Sequence, residues 1–437
     1  MERITFTTAL LLFTSFCTFA APAVPPIQQQ SAITTSSINI NAQLSIEFSV
    51  AKAKGDNLLL ILPSEHGIQS AETELLKTLP LRGVEVWLSH LLESYFMENS
   101  ASNLERIPVK DIQVLIQKLH RITNKNIVIL SAGRGVVPIL RALSSWPEKT
   151  LPSYVTGLIL MHPKLFIKTP DPGLTATLLP SVNKTNQLIY LIQPKLSPFW
   201  WNRELVVDGL QQSGSDVFVR PLSGIRNRFY FRHDATNKEQ QVGRHYKALI
   251  YNALKQLIAF PKKLRTSTNF SLSKTSVTSV KTERNLKTYK GNPIPPALKL
   301  PSLQNKMHDL KQYKGQVVLI NFWASWCPPC VHEMPSMQQL EDHFITKTKS
   351  SKTSFKILAV NMAEDAKTIQ TFLKTKIAVD FDILLDSDGA ALKSWKVFAF
   401  PTSFIVGKKG QIRYAIYGSL DWMNPDVVQK IQYLINE

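Results

Sequence analysis

The sequence predicts an α/β protein with two folded domains, and three observations lead to this prediction. The chain has 437 residues, too many for one ordinary domain, and 44% of them are hydrophobic, as packed cores require. Short apolar runs alternate with amphipathic stretches on both sides of a polar segment. That alternation is typical of strand–helix units with mainly parallel sheets. We therefore expect one α/β domain at residues 41–260 and a second at residues 291–437.

The first residues predict export. Arg3 precedes an apolar run that extends from Ile4 to Ala20 and ends in small residues around a cleavage point after Ala20. This is the arrangement of a secretory signal peptide, so residues 1–20 are expected to be removed and the protein to be periplasmic. An uncleaved membrane anchor is the alternative, because the run is just long enough to span a bilayer. Residues 21–40, rich in Pro and Gln, are interpreted as a flexible lead-in.

The pattern of residues 41–260 predicts strands that alternate with helices. Apolar runs predict strands at 58–62, 83–88, 126–130, 157–161 and 187–192, and an amphipathic helix at 109–119. The third strand leads into Ser131-Ala132-Gly133-Arg134-Gly135 and a helix. This order resembles the α/β-hydrolase family, whose nucleophile lies in such a turn as G-x-S-x-G. Aligned on Gly135, however, the chain has Gly133 at the nucleophile position and Ser131 where the first glycine belongs.

This departure predicts a hydrolase-like domain without hydrolase activity. A glycine cannot attack a carbonyl, and Ser131 is expected to point back into the sheet. No acid suited to a catalytic triad follows the later strands, so His66 and His233 are the remaining features that favour hydrolysis. We expect the domain to bind or position a partner.

The segment between the two domains is predicted to be a linker, residues 261–290. Residues 262–290 contain eight Lys or Arg, one Glu and eleven Ser or Thr, with few large apolar side chains. Such a segment cannot bury enough surface to offset its ordering entropy. The chain carries a net charge of +19, spread along its length, and we predict no nucleic-acid partner from it. Weak association of the basic linker with an anionic membrane surface is the alternative to a plain tether.

The cysteines predict redox chemistry. Once the signal peptide and Cys17 are removed, Cys327 and Cys330 remain, three positions apart. A buried strand at 316–323 runs into Trp-Cys-Pro-Pro-Cys and an amphipathic helix, so Cys327 lies at a helix N-terminus. The unpaired N–H groups and the helix dipole favour a thiolate there, and Cys330 one turn later can form a disulfide with it. This spacing indicates thiol–disulfide exchange, in which Cys327 attacks and Cys330 resolves.

Other uses of the pair are less favoured. A zinc site needs two more ligands, the mature chain has no further cysteine, and His332 lies on another side of the helix. No Met or His cluster supports copper binding, so no metal is predicted. A disulfide that closes so short a loop stabilises little, which disfavours a purely structural bond. The predicted redox-active group is the Cys327–Cys330 disulfide itself, without another cofactor.

Residues 291–437 resemble the TlpA/ResA-like family of exported thioredoxin-fold proteins. The matching stretches, in order, are 291–296, 313–315, 321–330 (NFWASWCPPC), 333–335, 359–361, 385–389 and 400–404. The resemblance implies a central β-sheet flanked by helices and a cis bond before Pro401, beside the dithiol. It also implies that Trp326, Phe400, Pro401 and Thr402 contact the substrate chain.

The resemblance also suggests a proton acceptor. Many thioredoxins have a buried Asp where this chain has Asn321. The family instead offers Glu364, after the predicted strand 356–362, as the carboxylate that serves Cys330. The alternative is that Glu364 caps the following helix, a role for which Asp365 is equally suited.

These observations predict an exported thiol-disulfide oxidoreductase. The resemblance favours reduction of disulfide-containing proteins, with electrons from a membrane-embedded donor. One alternative is an envelope binding protein whose Cys-x-x-Cys is a redox sensor or metal clip. The other is a hydrolase with a redox appendage.

Overall fold

The computed structural model describes residues 32–148, 150–266, 285–346 and 354–437. The predicted signal peptide, residues 1–20, lies outside the described residues, as does most of the predicted linker. Within the described residues no helix is long and apolar enough to cross a membrane.

An eight-stranded sheet organises the N-terminal half. Its strands are β1 (Ile33–Asn39), β2 (Ser45–Ala51), β3 (Asn57–Ile61), β4 (Val84–Ser89), β5 (Asn126–Ala132), β6 (Val155–Met161), β7 (Leu188–Leu196) and β8 (Asp216–Arg226). They lie in the order β1-β2-β4-β3-β5-β6-β7-β8. The strands from β4 to β8 in this order are parallel to one another, and β1 and β2 pair antiparallel at one end.

Helices cover both faces of this sheet. They are α1 (Ser70–Thr78), α2 (Leu91–Ser94), α3 (Ala101–Arg106), α4 (Val109–Thr123), α5 (Val136–Ser144), α6 (Pro198–Trp201), α7 (Arg203–Gln212), α8 (Asn237–Arg244) and α9 (Tyr246–Ala259). Alternate residues of β5 face opposite sides: Ile127 and Ile129 pack with α4 and α5, whereas Val128 and Leu130 pack with α1 and α9. Because the sheet is covered on both faces, its strands consist of continuous apolar runs in the sequence.

A smaller six-stranded sheet forms the core of the C-terminal half. Its elements are β9 (Lys287–Thr288), β10 (Lys299–Pro301), β11 (Met307–Asp309), β12 (Val317–Trp323), α10 (Pro328–Thr346), β13 (Phe355–Met362), α11 (Ala366–Lys376), β14 (Asp382–Asp386), α12 (Ala390–Ser394), β15 (Thr402–Val406), β16 (Ile412–Tyr417) and α13 (Pro425–Asn436). The sheet order is β14-β13-β12-β15-β16-β9, and β10 and β11 form a separate hairpin.

Two predictions about the fold are corrected. Residues 33–39 of the predicted flexible lead-in form β1, because seven consecutive residues pair with β2. The C-terminal sheet is mixed rather than mainly parallel, since β14-β13-β12 are parallel but β12-β15-β16-β9 are antiparallel.

The two halves pack against each other through an apolar seam. The rings of Phe166 and Phe398 meet edge to face, 5.7 Å apart between centroids, and Trp201 packs on the core beneath α12. Polar contacts border the seam: the Asn202 side chain donates to the carbonyl of Val397 at 3.4 Å. The seam brings the carboxyl ends of β7 and β8 toward the turn between β12 and α10.

Candidate active site

The strand β12 and the helix α10 position the cysteine pair. All seven residues of β12 are buried, because the strand lies between β13 and β15. A short turn follows, in which the N–H of Cys327 donates to the carbonyl of Ala324 at 3.1 Å. Helix α10 begins at Pro328, where a missing N–H does no harm. Cys327 is therefore the residue directly before the helix, as predicted.

The structure joins Cys327 and Cys330 in a disulfide, with 5.3 Å between their Cα atoms. The backbone N–H of Cys330 donates to Sγ of Cys327 at 3.3 Å. Cys327 is 5% exposed and Cys330 is 1% exposed. The sulfur at the helix start is thus the more accessible of the two and the one that receives an N–H from the first turn.

The loop before β15 lies beside the disulfide. The bond between Phe400 and Pro401 is cis, as the resemblance implied. The rings of Phe400 and Trp326 meet edge to face, 5.8 Å apart between centroids. Thr402 is buried and donates its hydroxyl to the carbonyl of Ala399 at 2.8 Å. Of the four predicted substrate contacts, Trp326 and Phe400 line one recess with Cys327, whereas Pro401 and Thr402 are not among its lining residues.

Glu364 holds the turn that precedes the cysteines. Its carboxylate accepts the backbone N–H of Ser325 at 2.7 Å and also accepts the Ser325 hydroxyl. The side chain of Asn361 donates to the same carboxylate at 2.9 Å. The helix-capping alternative is wrong, because Asp365 caps α11 by accepting the N–H of Thr368.

A second carboxyl near the pair, Glu333, was missed by the sequence reasoning. It lies three residues after Cys330 on α10 and is 2% exposed. It accepts the Asn321 amide at 2.8 Å and, from a distant part of the chain, the N–H of Leu420 at 2.9 Å. Burial raises the pKa of Glu333 to about 7, against these hydrogen bonds, which lower it. The Glu-Met-Pro stretch was noted in the sequence, but its burial depends on residues about 90 positions away.

Comparison with known proteins shows which family the C-terminal region resembles. A model of the redoxin family matches residues 289–431. The thiol-disulfide oxidoreductase ResA of Geobacillus kaustophilus is 32% identical over 125 residues, which are 29% of this chain and 68% of the relative. ResA of Bacillus subtilis is 30% identical over 135 residues, which are 30% of this chain and 72% of the relative. The chain belongs to the ResA-type thiol-disulfide oxidoreductases.

Membership in this family confirms that the chain is an enzyme of the thiol-disulfide oxidoreductase class, with its thioredoxin fold in the C-terminal region. The crystal structure of StoA from Bacillus subtilis also matches this oxidoreductase, at 26% identity and a TM-score of 0.26, over 32% of this chain and 98% of StoA. Among the described residues no cluster of three or more His, Cys, Asp or Glu side chains could hold a metal ion.

The turn after β5 in the N-terminal domain contains a glycine and a bound carboxylate, where the turn after β12 contains a cysteine. Gly133 has a φ of +54°, and a Cβ added to it would lie 2.3 Å from Oε2 of Glu65. The same oxygen accepts the N–H of Arg134 at 2.7 Å. Burial raises the pKa of Glu65, but the charge of Lys164 and these hydrogen bonds lower it to about 2. A carboxylate thus fills the place where a nucleophile's side chain would stand.

The other hydrolase candidates do not assemble into a triad. Ser131 is buried, and its hydroxyl has no hydrogen-bond partner within the described residues. His66 lies 3.7 Å from Glu65 and packs on Phe231, and His233 is exposed. None of the described contacts joins either histidine to Ser131.

Proposed function

We propose that this protein reduces the disulfides of exported proteins through Cys327 and Cys330, in the periplasm. The observation that carries the proposal is the Cys327–Cys330 disulfide at the start of α10, with the more exposed sulfur at the helix N-terminus. The family membership supports the reaction class. The apolar run of residues 4–20 supports export, and the donor that restores the dithiol is proposed to be membrane-embedded.

Reduction proceeds in two exchanges. The thiolate of Cys327 attacks one sulfur of the client disulfide, forming a mixed disulfide and releasing the other client sulfur as a thiolate. The thiol of Cys330 then loses its proton and attacks Cys327, which releases the second client thiolate and restores the Cys327–Cys330 bond. The client disulfide gains two electrons, and the protein dithiol loses two. The released thiolates take up two protons, one of which comes from Cys330.

The two cysteines are suited to these separate roles. Cys327 receives the N–H of Cys330 at 3.3 Å, and the dipole of α10 favours negative charge at this end. Cys330 is buried in the apolar core below it and is less accessible to a client than Cys327. This division matches an attacking and a resolving cysteine.

Two carboxyl groups are proposed to handle the proton of Cys330. Glu364 keeps the Ser325 turn in place and is half-buried close to the pair. Glu333 follows Cys330 by three residues on α10, and its pKa of about 7 suits a group that accepts and returns a proton near neutral pH. We propose Glu333 as the proton acceptor and Glu364 as the residue that positions the turn, which revises the role predicted for Glu364.

The client chain is proposed to lie across Trp326 and Phe400. The carbonyl of Pro401 is occupied by the N–H of Gly418 at 2.7 Å. Within the described part of the chain the backbone N–H and carbonyl of Phe400 have no partner, so they are the groups available to an extended client. The rings of Trp326 and Phe400 would supply the apolar walls.

The N-terminal domain is proposed to be an α/β-hydrolase-like domain that no longer catalyses hydrolysis, and it begins at β1 (Ile33–Asn39) and not at the predicted residue 41. The strand order and the left-handed Gly133 support the family resemblance. The Glu65 carboxylate next to Gly133 supports the loss of activity. We propose that this domain positions clients for the C-terminal domain, whose sheet begins at β9 (Lys287–Thr288) and not at the predicted residue 291, so that the connection ends before β9.

Trapping tests the proposal. In cells that express Cys330→Ala, mixed disulfides should accumulate on Cys327 and be recovered with the protein under non-reducing conditions. Cys327→Ala/Cys330→Ala is the matched control and should recover none. Recovery of equal amounts by both variants would contradict the proposal, as would a purified wild-type protein that does not reduce a protein disulfide at the expense of dithiothreitol. A binding protein with a redox sensor would titrate its dithiol but show no such turnover.

A further inference from the structure

A recess beside the disulfide is built by both domains. It encloses about 210 Å³. Its lining residues include Trp326, Cys327 and Phe400 from the C-terminal domain, and Arg226, Arg228 and Arg232 from the end of β8 and the loop that follows it. Three arginines of one domain therefore line the same recess as Cys327 of the other.

Two of the three arginines are paired within their own domain. Arg226 donates to Glu239 at 2.6 Å and to Asp234 at 2.9 Å, and its side chain is 7% exposed. Arg232 donates to the same Asp234 at 2.8 Å. Two carboxylates are thus shared between two guanidinium groups, and Asp234 acts on the third arginine, Arg228, only from beyond ion-pair distance.

Arg228 is the arginine without such a partner. No carboxylate of the described residues lies within ion-pair distance of its exposed side chain. Glu65 is the acidic side chain that most favours its charge, but Glu65 is already paired with Lys164 at 2.6 Å. Although the residue is exposed overall, partial desolvation of its guanidinium and the neighbouring charge of Arg232 lower the pKa of Arg228. A carboxylate that entered the recess would relieve this crowding of positive charge.

The backbone of Arg228 is held in an unusual conformation. Its φ is +65°, in the left-handed region that side chains other than glycine rarely adopt. The neighbouring arginine anchors the loop, because Arg226 donates to the carbonyl of Trp326 at 3.4 Å. Residues with strained backbone conformations cluster at functional sites, and Arg228 is such a residue next to a reactive sulfur.

We propose that Arg228 binds a carboxylate of the client, so that the enzyme prefers disulfides flanked by Asp or Glu. The proposal rests on the proposed reaction of Cys327 with client disulfides. A recess of this size accepts one or two side chains next to the attacked sulfur. The anionic groups that a protein client presents at those positions are acidic side chains. One ion pair formed in the recess would favour such a client by about 5- to 10-fold.

A pair of peptides tests the proposal on the full-length protein. Both peptides contain one disulfide, flanked by Glu in one and by Gln in the other. The protein is reduced and desalted, and the second-order rate constants of its oxidation by each peptide are measured at low salt. We expect the Glu peptide to react about 5- to 10-fold faster, and the ratio to fall toward one as salt rises to about 0.5 M.

Variants assign the preference to Arg228. Arg228→Gln should bring the ratio of the two rate constants close to one, and Arg228→Glu should invert it. Arg121→Gln is the matched control: Arg121 is an exposed arginine at the end of α4, near the amino end of β5 and away from the recess, and its loss should leave the ratio unchanged.

The outcomes separate this proposal from the reaction on which it rests. Absence of reaction with either peptide would overturn the proposed function itself. A wild-type ratio near one would overturn the carboxylate site alone, and so would equal slowing of both peptides in Arg228→Gln, since that result would assign Arg228 to stabilising the Cys327 thiolate. A wild-type ratio that does not change with salt would also overturn the carboxylate site, without any variant.

Discussion

Both domains place a sharp turn after a central strand of their sheet, and the two turns differ in chemical content. After β12 the turn presents Cys327, which receives an N–H from the first turn of α10. After β5 the turn presents Gly133, and the Glu65 carboxylate occupies the N–H of Arg134. The backbone of each turn provides hydrogen-bond donors for negative charge. In one domain a reactive side chain uses them, and in the other an internal carboxylate does.

The contrast indicates that such a turn can be stable without a reactive side chain. Glu65 is bound by Lys164 as well as by the turn, so it satisfies donors that would otherwise be buried without partners. The turn therefore has its own internal carboxylate as the acceptor for its N–H group. Four substitutions, taken in order of decreasing effect, test the two sides of this contrast.

The largest effect is expected from Cys327→Ser. A serine hydroxyl at this position is not ionised at neutral pH, so disulfide reduction should fall about 1,000-fold or more. Reduction of a protein disulfide with dithiothreitol as donor measures it. Ser131→Ala is the control in the other turn and should leave the rate unchanged; a loss of reductase activity in Ser131→Ala would contradict the contrast between the two turns.

Gly133→Ala should destabilise the protein by about 2 to 5 kcal/mol. An alanine held in the left-handed backbone conformation of residue 133 costs about 1 to 2 kcal/mol. The overlap of its methyl group with the Glu65 carboxylate costs about 1 to 3 kcal/mol more. Denaturant unfolding measures the change. Gly83→Ala is a matched control, because Gly83 has a φ of +79° but nothing within 4 Å of an added Cβ. Equal losses in the two variants would show that Glu65 does not fill the turn.

Glu333→Gln should change how stability depends on pH. Because burial raises the folded-state pKa of Glu333 to about 7, its contribution is complete below the unfolded pKa of about 4.5 and is lost as pH rises through 7. Between pH 4.5 and 8 the oxidised wild type should therefore lose up to about 3 kcal/mol relative to Glu333→Gln. A constant difference across this range would remove Glu333 as the proton acceptor. Glu364→Gln is the comparison variant for the pH profile of disulfide reduction.

The smallest effect is expected from Arg228→Gly. Glycine adopts a φ of +65° without steric cost, so this variant should gain about 1 kcal/mol in its free energy of unfolding. Lys396→Gly, at an exposed residue with a φ of +52°, should gain a similar amount. Of the two, only Arg228→Gly should lose the preference for the Glu peptide. Destabilisation by Arg228→Gly would mean that the Arg228 side chain stabilises the folded protein, which would contradict this prediction.

The sequence predicted those features of the C-terminal site that depend on residues close together in the chain. The run from β12 through Cys330 into α10 combines a buried strand, two prolines and a helical period within about 30 residues, and the structure has all three. The strand predicted at 316–323 is observed at Val317–Trp323. Neighbouring residues determine these features, so one sequence contains the information.

The features that were missed depend on distant partners. The Ser- and Thr-rich residues 33–39 have no strong apolar period and form β1 by pairing with β2. Glu333 resembles any helical glutamate until Leu420 and Trp422 cover it. Arg228 lies about 100 positions from Cys327, and no pattern within either domain indicates that they line one recess.

The small recess beside Cys327 has a consequence for when a client disulfide can reach the sulfur. At about 210 Å³ it is smaller than the 300 to 1,000 Å³ of ordinary ligand pockets, and it is walled by a second domain. Under the proposed function, a disulfide in an extended segment should reach Cys327 more readily than one fixed on the surface of a folded client. The rate at which a client folds would then limit the time available for its reduction.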